Sequence, residues 1–281
     1  MSIALKTLPW LLALPLAAAA PAADVDAIMA QFPAPGPAQA NGLFDALIDA
    51  GEDTIASLCD RLVPLGATDD NAPRYALTGL ARYASRPDAG RDRDVVEDAL
   101  LNGLDRAKHP DIQSFLIRQL QQCGTNRSVS ALRDFVAHEQ LASDAILALE
   151  AIGTAKARRA LAAQLSRTSG DTQLRVIAAL AGDGKHRRAA RAIRNRLEAG
   201  ADANETVHLL SLLASVAGAG AHPDLIDAAG HEAPRVRKAA LLHAAELMDA
   251  RAARKWRKAL DNGDLPDDAK AAVMAMLEVQ V

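Results

Sequence analysis

The fold is decided by residues 111–153, which read DIQSFLIRQLQQCGTNRSVSALRDFVAHEQLASDAILALEAIG. Apolar side chains return every three or four residues over 112–123 and again over 142–152, which is the period of an amphipathic α-helix. Gly124 follows the first of these helices directly, and Gly153 follows the second. Since glycine just past the last apolar turn is the usual helix stop, the stretch predicts a repeated helical unit.

The unit recurs along the chain. The glycine stops are spaced by 29, 31 and then 34 residues, at Gly124, Gly153, Gly184 and Gly218. Second amphipathic helices are predicted between these stops, over 129–136, 155–165 and 187–197. Two helices in each period of about 30 residues predict an α-solenoid, in which stacked neighbours bury a continuous core. We expect an all-α fold with about fifteen helices over 41–281, which form about seven pairs in a single elongated array.

Composition supports this fold class. Of the 281 residues, 50% are hydrophobic and 24% are charged, which excludes a disordered chain. Aromatic residues make up only 3%, which argues against an all-β fold, and two cysteines are too few for a disulfide scaffold. Small alanine side chains let neighbouring helices approach closely, so an aromatic-poor chain can still pack well.

The N-terminus predicts export. Lys6 precedes an apolar run over 8–19, and a small-residue stretch follows it, as in a secretory signal peptide over 1–22. Residues 23–40 predict a short helix and then a linker, because the prolines over 33–37 stop any helix. The repeat domain is expected over 41–281. An uncleaved anchor is the alternative, although the apolar run is shorter than a membrane-spanning helix requires.

Several segments resemble HEAT repeats. Residues 111–120 (DIQSFLIRQL) and 233–241 (APRVRKAAL) look like the first helices of such repeats, and the short period is similar to the HEAT-like repeats of phycobilin lyases. Residues 72–87 (APRYALTGLARYASRP) and 115–121 (FLIRQLQ) resemble segments of secreted bacterial HEAT-repeat proteins, a group of uncharacterised function. The resemblance implies a helical repeat scaffold over most of 41–281, and fold alone does not imply an activity.

Motifs for catalysis, cofactors and metals are incomplete. Residues 182–185 (GDGK) lack the first glycine and the Ser or Thr of a phosphate-binding loop and follow no strand. His243 and Glu246 are half of a helical zinc motif that has no second histidine, and His208 is expected to be a packing residue. We therefore predict no catalytic residue, no metal site and no cofactor.

Two further pairs of residues have structural interpretations. Cys59 and Cys123 lie on apolar helix faces and are expected to be core residues that do not pair, since two helices separate their elements. Asn126 and Asn204 begin glycosylation-like sequences, but each also falls where a helix should start, so we expect them to cap helices.

Charge is strongly polarised along the chain. Residues 1–150 hold 12 basic and 20 acidic side chains, whereas residues 155–200 hold 11 basic and 3 acidic ones. Arg187, Arg191 and Arg194 share one helix stripe, opposite an apolar stripe. Because second helices line the concave surface of a HEAT-like array, we predict a basic, partner-binding groove there, formed by Arg158, Arg159, Arg187, Arg191, Arg194, Arg251 and Arg254. The alternative is that these arginines only solvate helix faces.

These features predict a non-catalytic interaction scaffold of the cell envelope or periplasm, which binds a protein or an acidic polymer. The alternative function is an accessory, lyase-like module that acts with a partner enzyme, by analogy with the bilin-lyase repeats. Nucleic-acid binding is not expected, because aromatic stacking platforms are missing. No transmembrane anchor is expected after processing, and the sequence leaves the oligomeric state open.

Overall fold

The computed structural model describes residues 25–182, 186–263 and 265–278. Within these ranges every regular element is helical, with sixteen α-helices, one short 3₁₀ turn and no β-strand. The predicted all-α fold class is confirmed for this part of the chain. The predicted signal peptide, residues 1–22, lies outside the described residues.

The helices follow one another with short connections. They are α1 (Val25–Met29), α2 (Pro37–Asp49), α3 (Glu52–Cys59), α4 (Asn71–Ala84), α5 (Gly90–Arg106), α6 (Pro110–Cys123), α7 (Val129–Phe135), α8 (Ala142–Ile152), α9 (Ala155–Gln164), α10 (Gly170–Ala181), α11 (Arg187–Glu198), α12 (Ala203–Ala217), α13 (His222–Ala229), α14 (Pro234–Glu246), α15 (Ala250–Asn262) and α16 (Asp267–Glu278). A 3₁₀ turn, Gly218–Ala221, joins α12 to α13. The second helices predicted over 129–136, 155–165 and 187–197 are α7, α9 and α11.

Glycines end the helices as predicted, but in different ways. Gly153 is left-handed at φ 60°, and Gly218 also has a positive φ of 53°. Gly124 is extended, and a Cβ there would lie 2.4 Å from the carbonyl oxygen of Leu120, so this position needs glycine because of a close approach. The stop predicted at Gly184 lies outside the described residues, and α10 ends at Ala181.

The segment before the repeats is part of the packed structure. Helix α1 lies in the predicted short helix, but α2 begins at Pro37 rather than at the predicted boundary, Asn41. Proline is well tolerated at the first helical position, where the missing N–H has no partner in any helix. Ile28 and Phe32 are buried in the same core as the later helices, so this segment is more than a linker.

Each helix contacts its near neighbours in the chain. We call α4, α6, α8, α10, α12, α14 and α16 the even row, and α5, α7, α9, α11, α13 and α15 the odd row. Every even-row helix packs directly against the next one. In the odd row α7 contacts α9 and α13 contacts α15, whereas a groove separates α9 from α11. Among the described helices, those in substantial contact are at most three helices apart in chain order.

Polar side chains join successive even-row helices at a constant sequence separation. Ser114 of α6 donates to Asp144 of α8 over 2.5 Å, and Arg237 of α14 pairs with Asp268 of α16 over 2.6 Å. The four contacts of this polar ladder span 30 to 32 residues, and they are Ser114–Asp144, Ser143–Arg175, Asn204–Arg235 and Arg237–Asp268. This separation matches the predicted period, so equivalent positions of successive units meet.

The core is one cluster that extends from Ile28 to Leu277. It is built mostly from Leu, Ile, Val and Ala, and its largest fully buried side chain is Trp256. Among the described residues, one carboxylate is fully buried at this core: Glu97 accepts hydrogen bonds from the backbone N–H of Thr125 (2.7 Å) and of Ser128 (3.1 Å) and from both hydroxyls. Glu97 therefore caps the start of α7 from the neighbouring helix α5.

The predicted asparagine caps are wrong. The residue that precedes α7 is Ser128, and Asn126 instead accepts a hydrogen bond from the Thr154 hydroxyl over 2.6 Å. Asp202 caps helix α12, because its carboxylate accepts hydrogen bonds from the backbone N–H groups of Asn204 and Glu205. The side chain of Asn204 instead pairs with Arg235. The side chains of Asn126 and Asn204 therefore make contacts between helices instead of capping helix starts.

One helical stretch of the described chain passes a length and hydropathy test for a membrane span. It covers Ala203–Ala229; its most apolar 18-residue window has a mean hydropathy of 1.3, and half of that window is buried inside the protein. The stretch consists of α12, the 3₁₀ turn and α13. Such burial is typical of a core helix, so this stretch is weak support for a span.

Candidate basic groove

The strongest candidate site is the groove between α9 and α11, which we call the basic groove. Its volume is about 590 Å³, within the usual range of ligand sites. Small side chains form the α9 wall, and α11 supplies three arginines. The lining residues are Ala162, Ala163, Leu165, Ser166, Thr168, Gln173, Arg188, Arg191, Ala192, Asn195, Arg196 and Ala199. Among the described residues, this lining therefore has three guanidinium groups and no carboxylate.

The sequence of α11 explains how the arginines reach the groove. Ala189, Ala190 and Ile193 are buried against the core, so the arginines between them point outward. The start of the helix is fixed, because the His186 ring accepts from the Ala189 N–H and the His186 N–H donates to the Val216 carbonyl over 2.7 Å. The arginines therefore project from a well-anchored helix.

The three arginines of the basic groove differ in their freedom. Arg196 pairs with Glu205 over 2.6 Å and is held in place. Arg188 and Arg191 are exposed and make no ion pair or hydrogen bond with any described residue. Guanidinium groups stay charged at all physiological pH values and bind carboxylates or phosphates with two parallel hydrogen bonds. Arg188 and Arg191 can therefore bind an incoming anion.

Arg194 connects two helices, a role that the prediction of an exposed arginine stripe did not include. Its Nε lies 3.0 Å from Oδ1 of Asp224, and its Nη2 lies 2.9 Å from Oδ2 and 3.1 Å from the Gly220 carbonyl. The hydrogen bond to Asp224 raises the pKa of the Arg194 guanidinium above its usual value. Arg194 thus ties α11 to α13, and the predicted stripe of three free arginines is corrected to Arg187 and Arg191.

The other predicted arginines lie apart. Arg159 is exposed on α9, while Arg158 is half-buried and donates to the Gly153 carbonyl over 2.8 Å. Arg251 and Arg254 are exposed on α15, beyond the acidic helix α13. The structure does not bring all seven residues into one surface.

Sequence reasoning missed Arg188. The residue precedes Arg191 by three positions and Asn195 by seven, a spacing that places all three on one helix face. This pattern could have been recognised, but only the position of α9 shows that this face borders a groove. Of the residues that the structure describes, no histidine, cysteine or carboxylate lines the basic groove, so Ser166 and Thr168 have no general base among them.

Other reactive side chains lie away from the basic groove. Cys59 and Cys123 are buried free thiols, as predicted, and burial raises the pKa of each to about 12. His222 is fully buried and bonded to Trp256 and to the Leu247 carbonyl. Within the described ranges, no group of three or more potential metal ligands is found.

Comparison with known proteins adds little. No family model matches the chain, and no curated protein matches it. Among solved structures, the chain is similar to the crystal structure of an engineered protein with 19% sequence identity and a TM-score of 0.41. That match covers 92% of this chain and 74% of the other chain, and it carries no argument about function.

Proposed function

We propose that the helices form a HEAT-like α-solenoid. Two observations support this arrangement: substantial contacts among the described helices run only between near neighbours, and the polar ladder joins residues 30 to 32 positions apart. In a curved array, helices on the inner side lie closer together than helices on the outer side. The closely packed even row then lines the concave side, and the basic groove opens on the odd row rather than on the concave face that the sequence predicts.

We further infer that the protein is a non-catalytic scaffold that binds an acidic segment of a protein partner in the basic groove. The observation that carries this proposal is a groove of about 590 Å³ whose described lining has three arginines and no carboxylate. Export to the cell envelope rests on the predicted signal peptide over 1–22. The absence of aromatic residues from the groove lining favours an acidic peptide over single-stranded nucleic acid, which needs stacking platforms.

The test is isothermal titration calorimetry with an N-acetylated, C-amidated octaglutamate peptide. The variant Arg188→Glu/Arg191→Glu removes both free guanidinium groups of the groove. Charge-assisted hydrogen bonds contribute about 1.5–3 kcal/mol each, and exposure to solvent reduces this value. We expect binding to weaken about 10- to 100-fold, and the affinity of the unmodified protein should fall when NaCl increases from about 50 to 500 mM.

The matched control is Arg251→Glu/Arg254→Glu, which makes the same change in net charge on α15. An equal loss of affinity in both double variants would mean that octaglutamate senses only the overall charge, and unchanged affinity in the groove variant would refute the proposed site. An octaglutamine peptide should not bind. Tighter binding of a single-stranded oligonucleotide than of octaglutamate would favour nucleic acid as the ligand.

A further inference from the structure

A second concentration of positive charge lies on α15, apart from the basic groove. The sequence of this helix, ARAARKWRKALDN, has five basic residues within eight positions and one carboxylate, Asp261. Four of the five basic side chains are exposed and one is half-buried. We call them the cationic ridge, which consists of Arg251, Arg254, Lys255, Arg257 and Lys258.

The cationic ridge points outward because of the helical period. At about 100° per residue, its five members cover an arc of about 160°, and they rise by about 10 Å from Arg251 to Lys258. The remaining arc holds Ala252, Ala253 and Trp256, all of which are buried. The positive charges therefore form one continuous outer face of α15.

Helix α15 is firmly anchored in the molecule. At its start the Asp249 carboxylate accepts a hydrogen bond from the Ala252 N–H over 2.7 Å, and Gly263 ends the helix in the left-handed conformation at φ 79°. Between these ends, Nε1 of Trp256 donates to Nδ1 of His222 on α13 over 3.0 Å. The cationic ridge therefore belongs to a fixed helix, which cannot turn its apolar face outward without breaking the core.

Neighbouring carboxylates leave the cationic ridge unpaired. Helix α15 packs against α13 and α16, and both carry acidic residues. Asp224 of α13 pairs with Arg194, and Asp268 of α16 is held by Arg237 of α14 over 2.6 Å. No member of the ridge makes an ion pair or a side-chain hydrogen bond with any residue that the structure describes. The ridge is therefore open to an anionic partner.

An extended anionic surface is the partner that this geometry favours. All five charges lie on the outer face of one helix, so their long side chains can reach a flat array of phosphate groups together. A short peptide meets only some of them and loses conformational freedom. Each Lys or Arg near an anionic bilayer increases affinity about fivefold. Single-stranded nucleic acid fits less well, because its bases stack on aromatic side chains and the Trp256 ring is buried.

The buried apolar face of α15 decides how it would bind such a surface. Amphipathic helices that lie in a membrane insert their apolar side chains below the headgroups. In α15 the Trp256 ring is fully buried and hydrogen-bonded inside the protein, so this helix offers only charge. Binding is then confined to the bilayer surface and is screened by salt.

We propose that the cationic ridge docks the protein on an anionic phospholipid bilayer, at the level of the phosphate groups. Its arginines bind phosphate oxygens with paired hydrogen bonds, and its lysines add point charges. The export that the sequence predicts would also place the protein beside a membrane. The ridge and the basic groove have no residue in common, so this proposal does not depend on the acidic-peptide site.

The test is flotation of the purified protein with vesicles made of equal amounts of phosphatidylglycerol and phosphatidylcholine, compared with vesicles of phosphatidylcholine alone. The ratio of the two partition coefficients is measured, so that apolar contributions from other parts of the chain cancel. We expect Arg254→Gln/Lys258→Gln to lower this ratio about 25-fold, at about fivefold for each lost cation. The matched control is Arg91→Gln/Arg118→Gln, which removes two exposed arginines of α5 and α6 and should leave the ratio unchanged.

Four results would overturn the proposal. A ratio near one for the unmodified protein, or an equal fall in both double variants, would mean that the ridge does not recognise the bilayer. A ratio that stays high when NaCl increases from about 50 to 500 mM would indicate apolar insertion instead of surface charge. Displacement of the protein from the anionic vesicles by duplex DNA at an equal phosphate concentration would assign the ridge to nucleic acid. Because vesicles and octaglutamate probe separate surfaces, either proposal can fail while the other stands.

Discussion

Arg194→Glu should destabilise the protein, although Arg191→Glu, one turn earlier on the same helix, should not. The Arg194 side chain is 37% exposed and that of Asp224 is 20% exposed, so the pair is partly screened by solvent. Loss of its charge-assisted hydrogen bonds costs about 1–2 kcal/mol after that discount, and the new carboxylate also repels Asp224. We expect a total loss of about 2–3 kcal/mol. Arg191 has no such partner, so its reversal should change stability by less than about 0.5 kcal/mol.

The assay is thermal unfolding followed by circular dichroism at 222 nm. For a chain of this size, about 2–4 °C of melting temperature corresponds to each kcal/mol, so Arg194→Glu should lower it by about 4–12 °C. A double-mutant cycle with Arg194→Ala and Asp224→Ala should show a coupling of at least about 0.5 kcal/mol. Equal melting temperatures for the two glutamate variants, or a coupling of zero, would refute the role of Arg194 as a tie between α11 and α13.

Three further predictions concern buried or paired groups. Glu97→Gln should lower stability by about 2–3 kcal/mol in urea unfolding, because the amide cannot accept all the donors at the start of α7; unchanged stability would contradict that cap. Cys59 and Cys123, whose pKa values burial raises to about 12, should react with iodoacetamide at pH 8 only in denaturant, and rapid labelling of the folded protein would contradict their burial. Burial alone would raise the pKa of Asp70, but hydrogen bonds from Arg74 and a backbone N–H lower it below its usual 3.8. Its stabilisation is therefore present above about pH 4 and is lost as the pH falls through the lower folded pKa, so Asp70→Asn should destabilise at pH 7 and have little effect near pH 2, as measured by melting curves.

Local patterns predicted the helices because local forces decide them. The apolar period over 142–152 and the stop at Gly153 place α8 correctly, since a helix that buries one face needs both signals. The start of α2 at Pro37 shows where local reasoning is weaker. Proline both ends helices and begins them, and only the packing of Phe44 and Leu47 into the core decides between the two roles.

The site was predicted less well because its residues are defined by partners in the next repeat. Arg194 meets Asp224 at a separation of 30 residues, and Asn204 meets Arg235 at 31. A helical wheel shows which face of a helix is polar, but it does not show whether a neighbouring helix uses that face. The arginine stripe therefore lies on α11, as predicted. The prediction leaves Arg194 open to solvent or a partner, whereas in the structure it pairs with Asp224 of the same molecule.

The nearly constant separation also offers a rule that predicts contacts between successive repeats. Once a period of about 30 residues is known, each charged residue can be compared with the residues 28 to 32 positions away, as the contacts Thr154–Asn126, Arg127–Asp98 and Arg237–Asp268 illustrate. This comparison pairs Arg194 with Asp224 and Glu97 with Ser128, and the structure has both contacts. Net charge along such a chain overstates the potential for binding, because contacts between repeats neutralise part of it. After this pairing, Arg188 and Arg191 remain beside small residues of α9 as the unpaired positive charge of the basic groove, where they can reach a partner.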